Sequence, residues 1–239
     1  MRQTRRAYLA ATAGALTLGT AGCLGGDDES ENTATGTETG TSTESDIVAD
    51  IGCDVSKRDA VSSLSTPSLG PDDATVVVDG WEDFACPHCA TFSLDVLPKL
   101  QSEYVSEGIV QYRHHDFPIP VDDWWSWKGA SAARAVQDET DDETFFEFAH
   151  TLFEKQSELA GGNAEESLTT LKDLANDAEL DGCSVAAAAS RERYRPVVKA
   201  DRTNAVDERG FNGTPTILVN GEQVKPTWDA IQTAVENAR

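Results

Sequence analysis

The chain has 239 residues, with 42 acidic against 19 basic side chains and a formal net charge of −23 at pH 7. This balance argues against a nucleic acid partner, because phosphate groups repel so acidic a surface. An acidic surface also suits high salt, where screening removes its self-repulsion, so we expect a halophilic source; the alternative is an ordinary acidic secreted protein.

The first 23 residues have the pattern of an export signal. Arg5 and Arg6 precede an apolar stretch, residues 10–21, that is too short to span a bilayer, and the paired arginines favour the twin-arginine route. The stretch ends in Thr20-Ala21-Gly22-Cys23, which resembles a lipoprotein processing site. We therefore expect a lipidated Cys23 to bind membrane lipid and to anchor the exported protein to the outer face of the cytoplasmic membrane. The alternative is a plain signal peptide that contains a cysteine.

Residues 24–50 are rich in threonine, glycine and acidic residues, and have no basic or aromatic side chain. Such a segment cannot bury enough apolar area to offset its chain entropy, which predicts a disordered tether. Residues 51–239 are then left for one folded domain.

The domain begins with a predicted β-α-β unit. Val76-Val77-Val78 predicts a buried strand, apolar residues at helical spacing between 87 and 104 predict a helix, and residues 109–112 predict a second strand. Segments with apolar residues at helical spacing fill residues 122–209.

The period changes again near the end of the chain. Residues 216–219 predict a strand, Asn220-Gly221 a hairpin turn, residues 223–224 a return strand, and Thr227 the cap of a last helix. The order β-α-β, helical block, β-β-α predicts an α/β fold with a helical insertion at about 122–209, because the flanking halves need each other to form a sheet.

Cys86-Pro87-His88-Cys89 lies between the first predicted strand and its helix. The spacing places both sulfurs on one face of a turn, close enough to form a disulfide. Pro87 suits the first helical turn, so Cys86 should lie exposed at the helix N-terminus, where unpaired N–H groups and the helix dipole lower a thiol pKa, and His88 can add positive field. Cys89 should lie one turn inward as the resolving thiol. A stabilised thiolate makes the disulfide form a strong oxidant, which favours disulfide donation.

Three features together resemble the DsbA family of thioredoxin-fold thiol–disulfide oxidoreductases. They are residues 86–89 after a strand, Asp116-Phe117-Pro118 after the next strand, and Gly213-Thr214-Pro215-Thr216 before a third, with a helical insertion between the last two. The resemblance covers about residues 70–238.

The resemblance implies a thioredoxin-like fold and a set of residue roles. Cys86 would be the attacking thiol, Cys89 the resolving thiol, His88 a tuner of reactivity, and Pro215 a cis-proline facing the disulfide. It also implies thiol-containing exported proteins as substrates and a membrane redox partner. We expect no cofactor and no metal.

Pro215 stands just before a predicted strand and two residues after Gly213, where a tight turn is expected. X-Pro bonds are cis in only about 5–6% of cases, but a cis bond at Pro215 would aim the Thr214 backbone at an incoming chain, which could pair as an added strand.

Thioredoxin-fold enzymes often carry a buried acid six residues before the first cysteine, and here that position is Gly80. Strand alternation turns Asp79 to the other face, so the acid that exchanges protons with Cys89, if there is one, stays open, with Glu82 and Asp83 also near.

Other interpretations of the motif stay open at this point. The same chemistry could serve a reductase or isomerase. Cys86, His88 and Cys89 could instead bind copper in a metal-delivery lipoprotein, although no second Cys-x-x-Cys completes a structural zinc site. The pair could also be a plain structural disulfide.

The remaining cysteines are Cys53 and Cys183. If Cys23 is lipidated and Cys86 pairs with Cys89, an exported setting permits a structural bridge between these two, and the alternative is two unpaired thiols. His114 and His115 follow a strand and are predicted to be solvated surface or lip residues.

Overall fold

The computed structural model describes residues 44–239. The predictions for the signal, for Cys23 and for tether residues 24–43 lie outside this range. The strands are β1 Ser68–Leu69, β2 Val76–Glu82, β3 Val110–Asp116, β4 Thr216–Val219 and β5 Glu222–Val224. They form one sheet in the order β1-β3-β2-β4-β5, in which β2 and β3 are parallel and the other pairs antiparallel.

Helices cover both faces of this sheet and fill the long connection between β3 and β4. They are α1 Glu44–Asp50, α2 Pro87–Thr91, α3 Leu97–Leu100, α4 Trp125–Glu139, α5 Asp142–Glu154, α6 Gln156–Leu159, α7 Ala164–Asp177, α8 Gly182–Ser190, α9 Arg195–Thr203 and α10 Trp228–Ala238. π-helical turns at Phe92–Val96, Gln101–Val105 and Asn204–Glu208 extend α2, α3 and α9. The predicted thioredoxin-like α/β fold with inserted helices is confirmed.

Strand alternation assigns the two faces of the sheet. Val76 and Val78 of β2 point into the main core, which α2, α3, α10 and the inserted helices cover. Trp81 of β2 and Leu218 of β4 point the other way, where they meet Phe117 and Ala205. The central strands of the sheet are therefore covered on both faces, and the end of β2, just before the cysteine motif, is buried.

The predicted boundary between tether and domain at residue 51 is wrong. Residues 44–50 form α1, Val48 is only 1% exposed, and α1 contacts α7 and α8. The acidic composition of residues 24–50 concealed the helical spacing of Ile47, Val48 and Ile51, which places apolar side chains on one face. That face docks on the inserted helices.

Strand β1 and helix α8 also had no signal of their own in the sequence. Strand β1 has only two residues, too few for a periodic signal, and pairs with β3. Helix α8 is alanine-rich and buried on most sides, so it lacks the polar face of an amphipathic helix. A Cβ on Gly182 would lie 2.2 Å from the backbone oxygen of Lys172, so glycine permits the close approach of α8 to α7.

Candidate active site

The four-residue cysteine motif forms the start of α2. Cys86 is the N-cap residue with extended backbone angles, Pro87 is the first helical residue, and the Cys89 N–H donates to the Cys86 oxygen at 3.0 Å. Both cysteines are free thiols. Cys86 was expected to be exposed, which is wrong: only 3% of it is accessible, because the loop before β4 covers it.

That covering loop carries the proline singled out from the sequence. The Thr214–Pro215 bond is cis. The Cys86 thiol donates to the Thr214 carbonyl oxygen, with Sγ and oxygen 3.5 Å apart. The Thr216 hydroxyl closes the loop by donating to the Gly213 oxygen at 2.7 Å. The structure therefore brings Cys86, Thr214 and Pro215 together.

The surroundings of the two thiols drive their acidities apart. A hydrogen bond from the Cys89 side chain lowers the pKa of Cys86 to about 5, helped by the Thr214 side chain and by the backbone N–H groups of Cys89 and His88, and opposed by burial. Burial, the hydrogen bond to Cys86 and the negative charge of Glu82 raise the pKa of Cys89 well above its usual value. Cys86 is therefore the thiol that ionises near neutral pH, and Cys89 keeps its proton. His88 itself has an exposed side chain and acts on Cys86 through its backbone.

Asp83 ties the motif to the helical insertion. One carboxylate oxygen accepts from the Ala85 N–H at 2.8 Å, and the other accepts from the Ile119 N–H at 2.7 Å and the Ser126 hydroxyl at 2.9 Å. Its own N–H donates to the Cys89 sulfur at 3.4 Å. Burial raises the pKa of Asp83 to about 6 despite these donors. Both of its oxygens are thus satisfied, which suits a structural anchor.

Gln156 holds the same segment from α6 and was missed by sequence reasoning. Its side-chain amide donates to the backbone oxygens of Phe84 at 2.8 Å and Cys86 at 3.1 Å. It lies 70 residues from Cys86 in sequence, and no motif singles it out.

Tyr112 fills the space at Gly80, the position where thioredoxin-fold enzymes often carry an acid, and contacts Glu82. A Cβ on Gly80 would lie 2.3 Å from the Tyr112 hydroxyl oxygen, so that hydroxyl fills the space above the glycine. It donates to Glu82 Oε1 at 2.6 Å. Glu82 is 2% exposed, and its Oε2 has no hydrogen-bond partner in the described part of the chain. Alternation along β2 puts Glu82 on the same face as Gly80, two residues nearer the motif.

The prediction of solvated histidines is wrong for His114, whereas His115 keeps 16% of its side chain accessible. His114 is 2% exposed, and its ring nitrogens lie 3.3 Å from Glu82 and 3.3 Å from Asp116. Burial opposes its charge, but the two acids raise the pKa of His114 to about 9. His115 stacks on Trp81 with ring centroids 4.3 Å apart. Both histidines belong to β3, an inner strand covered on both faces.

Arg134 continues this buried network into the insertion. Its Nε donates to Asp116 at 2.6 Å and its Nη2 to Asp201 at 2.7 Å. Burial alone would raise the pKa of Asp116, but Arg134 and His114 hold it at about 2. The charges of the network therefore compensate one another, as buried charges must.

Cys53 and Cys183 form a disulfide across 130 residues of sequence, with an S–S distance of 2.00 Å. It joins the segment after α1 to α8. Within residues 44–239 no three His, Cys, Asp or Glu side chains form a group that could hold a metal ion, and no helix has both the length and the apolarity to cross a membrane.

Comparisons with known proteins agree with this geometry. Residues 62–237 match a family model described as Thioredoxin. The probable disulfide bond formation protein D of Bacillus anthracis is 30% identical over 173 residues, which span 71% of this chain and 76% of that protein. Disulfide bond formation protein D of Bacillus subtilis is 28% identical over 195 residues, spanning 74% and 81%.

Solved structures give the same result. The oxidised form of BdbD from Bacillus subtilis superposes with a TM-score of 0.64 at 28% identity, over 76% of this chain and 98% of that one. DsbA of Chlamydia trachomatis gives a TM-score of 0.62 at 18% identity, over 76% and 96%, which indicates a shared fold alone.

Proposed function

Because the chain belongs to the thioredoxin family and is a DsbA-like thiol–disulfide oxidoreductase, we propose that it donates a Cys86–Cys89 disulfide to thiol-containing exported proteins. The observation that carries the direction is the acidity of Cys86. Its pKa of about 5 favours the thiolate, which stabilises the reduced protein and so makes the disulfide form an oxidant.

The proposed reaction has two exchange steps. A substrate thiolate attacks Cys86 Sγ; a bond forms between these sulfurs, the Cys86–Cys89 bond breaks, and Cys89 leaves with the electron pair. A second substrate thiolate then attacks the substrate sulfur of this mixed disulfide, which forms the substrate disulfide and releases the Cys86 thiolate. The substrate loses two electrons and the cysteine pair gains them.

The loop at Thr214 and Pro215 supports substrate binding by its position. It lies directly over Cys86, and its backbone can pair with an extended substrate chain without contacts that depend on side-chain sequence. His88 lies exposed next to Cys86, where it can contact the incoming chain.

The cell must reoxidise the protein after each cycle. We assign this step to a membrane redox partner that carries a disulfide. The Cys86 thiolate attacks this disulfide and forms a mixed disulfide with the partner. Cys89 then attacks Cys86, which forms the Cys86–Cys89 disulfide and releases the reduced partner. The proposed setting is the outer face of the cytoplasmic membrane of a halophilic cell. Export through the twin-arginine signal, the Cys23 lipid and a tether at residues 24–43 would place the domain there.

Equilibration of the cysteine pair with glutathione in high salt tests the direction. We expect a reduction potential above that of the glutathione couple. A value close to that of thioredoxin, roughly −270 mV, would mean a reductase and would overturn the proposal.

Membrane fractionation of Cys23→Ser tests the anchor. We expect the variant to leave the membrane fraction while keeping its exchange activity. A variant that stays with the membranes would contradict lipidation at this residue.

A further inference from the structure

A cavity of about 470 Å³ lies behind the cysteine motif. It is bordered by Leu69 of β1, His114 of β3 and Glu82 of β2, and by the segments around α3 and α5. Cys86, Thr214 and Pro215 are not part of its wall. Since the sheet order is β1-β3-β2-β4-β5, the cavity lies on one side of β2 and the substrate-facing loop, which leads into β4, lies on the other.

The wall of the cavity contains apolar residues, buried ionisable residues and exposed ionisable residues. Leu97, Phe146 and Phe153 form apolar parts of it, while Glu143 and Glu147 are exposed at its mouth. Glu82 and His114 are the deeply buried ionisable groups in it. A cavity of this size whose wall also carries polar groups can hold water beside them.

Glu82 meets charged and titratable groups from each element around it. Its Oε1 accepts from the Tyr112 hydroxyl and faces a ring nitrogen of His114, and its charge acts on the Cys89 thiol. Its Oε2 has no partner within residues 44–239. The further ionisable groups near it are Asp83 next in sequence, Asp116 beyond His114, and Glu143, Glu147 and His150 across the cavity.

The proposed reoxidation needs a base at this place. Once the partner is bonded to Cys86, Cys89 must lose its proton before its sulfur can attack. Cys89 is fully buried, and a partner bonded to Cys86 would cover that side. The proton must therefore leave in another direction.

We propose that Glu82 accepts the proton of Cys89 and that the cavity carries it to solvent on the side of β2 away from Cys86. This inference rests on the proposed function. In the step, the Cys89 S–H bond breaks and the proton passes to the Glu82 carboxylate. The Cys89 sulfur attacks Cys86, the Cys86–partner bond breaks, and the partner sulfur leaves with the electron pair. Glu82 then loses its proton to cavity water, and the sequence reverses when Cys89 is a leaving group.

Two-phase kinetics separate Cys86 from Cys89. The full chain carrying Cys23→Ser is prepared with its Cys86–Cys89 pair reduced. It is then mixed with dithio-bis-nitrobenzoate, with the protein in excess over the reagent. Attack by Cys86 releases one coloured thionitrobenzoate, and resolution by Cys89 releases the second. The first phase reports Cys86 and the second reports deprotonation and attack by Cys89.

Glu82→Gln keeps the shape of the side chain and removes the base. We expect the second phase at pH 7 to slow by about 100-fold, the usual contribution of a general base, and to rise with hydroxide concentration, while the first phase changes less than about twofold. Glu82→Asp should restore part of the rate. A purely electrostatic role predicts the opposite sign, because loss of the negative charge lowers the pKa of Cys89 and speeds the second phase.

Glu103→Gln removes an exposed carboxylate next to the cavity segment and should change neither phase. An unchanged or faster second phase in folded Glu82→Gln would overturn the proposal. Loss of the first phase in the parent chain would instead contradict the proposed function.

Ala149→Leu tests the route. Ala149 is a buried part of the cavity wall. A larger apolar side chain there narrows the cavity and changes no charge near Glu82. We expect a second phase at least about threefold slower, with an unchanged first phase. A second phase at the parent rate would show that the proton does not leave through this cavity.

Discussion

The two cysteine pairs of this molecule differ in bonding, in sequence separation and in the groups that surround them. Cys53 and Cys183 are bonded and join chain segments 130 residues apart. Cys86 and Cys89 lie within one turn, are free, and have pKa values displaced in opposite directions. The first pair constrains the chain, and the second is prepared for exchange. The difference lies in the surroundings: a helix N-terminus and a covering loop act on Cys86, and buried Glu82 acts on Cys89.

Removal of single thiols from the exchange pair should have the largest effect. Cys89→Ser leaves the attacking thiol without its resolving partner, so mixed disulfides with client proteins should accumulate through Cys86 and survive non-reducing electrophoresis. Cys86→Ser should trap none and lose all exchange activity. Trapping by Cys86→Ser, or metal release without trapping by Cys89→Ser, would contradict the assignment of roles.

Removal of the structural pair should have the next largest effect and act on stability alone. A loop of this length predicts a loss of up to about 5 kcal/mol from the free energy of unfolding for Cys53→Ala/Cys183→Ala. That upper bound corresponds to a melting temperature lower by up to about 10–20 °C for a domain of this size. The rate of the Cys86 phase at 25 °C should stay unchanged. A variant as stable as the parent in oxidising buffer would show that the disulfide contributes nothing.

The free energy of unfolding should depend differently on pH in the reduced and the oxidised protein. We expect this effect to be smaller than the loss of the structural disulfide. Reduced Cys86 has a pKa of about 5 when folded and about 9 when unfolded. Between these values the unfolded chain binds more protons, so the stability of the reduced form rises with pH. In the oxidised form Cys86 does not titrate, while His114 and Asp83 titrate in both forms.

Thermal melting of the Cys53→Ala/Cys183→Ala chain, reduced and oxidised, measures this difference. The melting temperature of the reduced form minus that of the oxidised form should increase from pH 5 to pH 9. A gap that is independent of pH would contradict the low pKa of Cys86.

The smallest expected effect concerns Gln156, which fixes the exchange pair from the insertion. Gln156→Ala removes two hydrogen bonds to backbone oxygens and should cost about 1–2 kcal/mol of unfolding free energy, measured by urea denaturation. Thr151→Ala, on the exposed side of α5, is a matched control that should cost less. Equal losses in the two variants would show that Gln156 has no special part in holding the motif.

The sequence was sufficient for the parts of the fold that rest on local patterns. The apolar run of β2, the hairpin at Asn220-Gly221 and the cysteine motif each have a local signal, and the insertion between β3 and β4 follows from their order. Helix α1 was hidden by composition. Strand β1 was too short to leave a pattern.

The candidate site was predictable where one segment defines it, and not where distant segments meet. Cys86, Cys89 and Pro215 come from recognisable motifs, although their roles remain predictions. His114 was misplaced, because its burial depends on β3 being an inner strand with α5 packed over it. Glu82 had a usable signal, since period-2 alternation puts it on the face of Gly80, but its contact with Tyr112 depends on strand register, which the sequence does not fix.

Gly80 and Tyr112 also restrict how this site can change. A Cβ at position 80 would lie 2.3 Å from the Tyr112 hydroxyl oxygen, so an acid there requires the tyrosine ring to shift or to be replaced. A substitution that places an acid at 80 is easier to accommodate once position 112 carries a smaller side chain. That first change would remove the hydroxyl that Glu82 accepts from. A protein with glycine at 80 and a smaller residue at 112 has neither the acid nor the tyrosine hydroxyl. The order of the two substitutions therefore affects whether the site can change from one arrangement to the other.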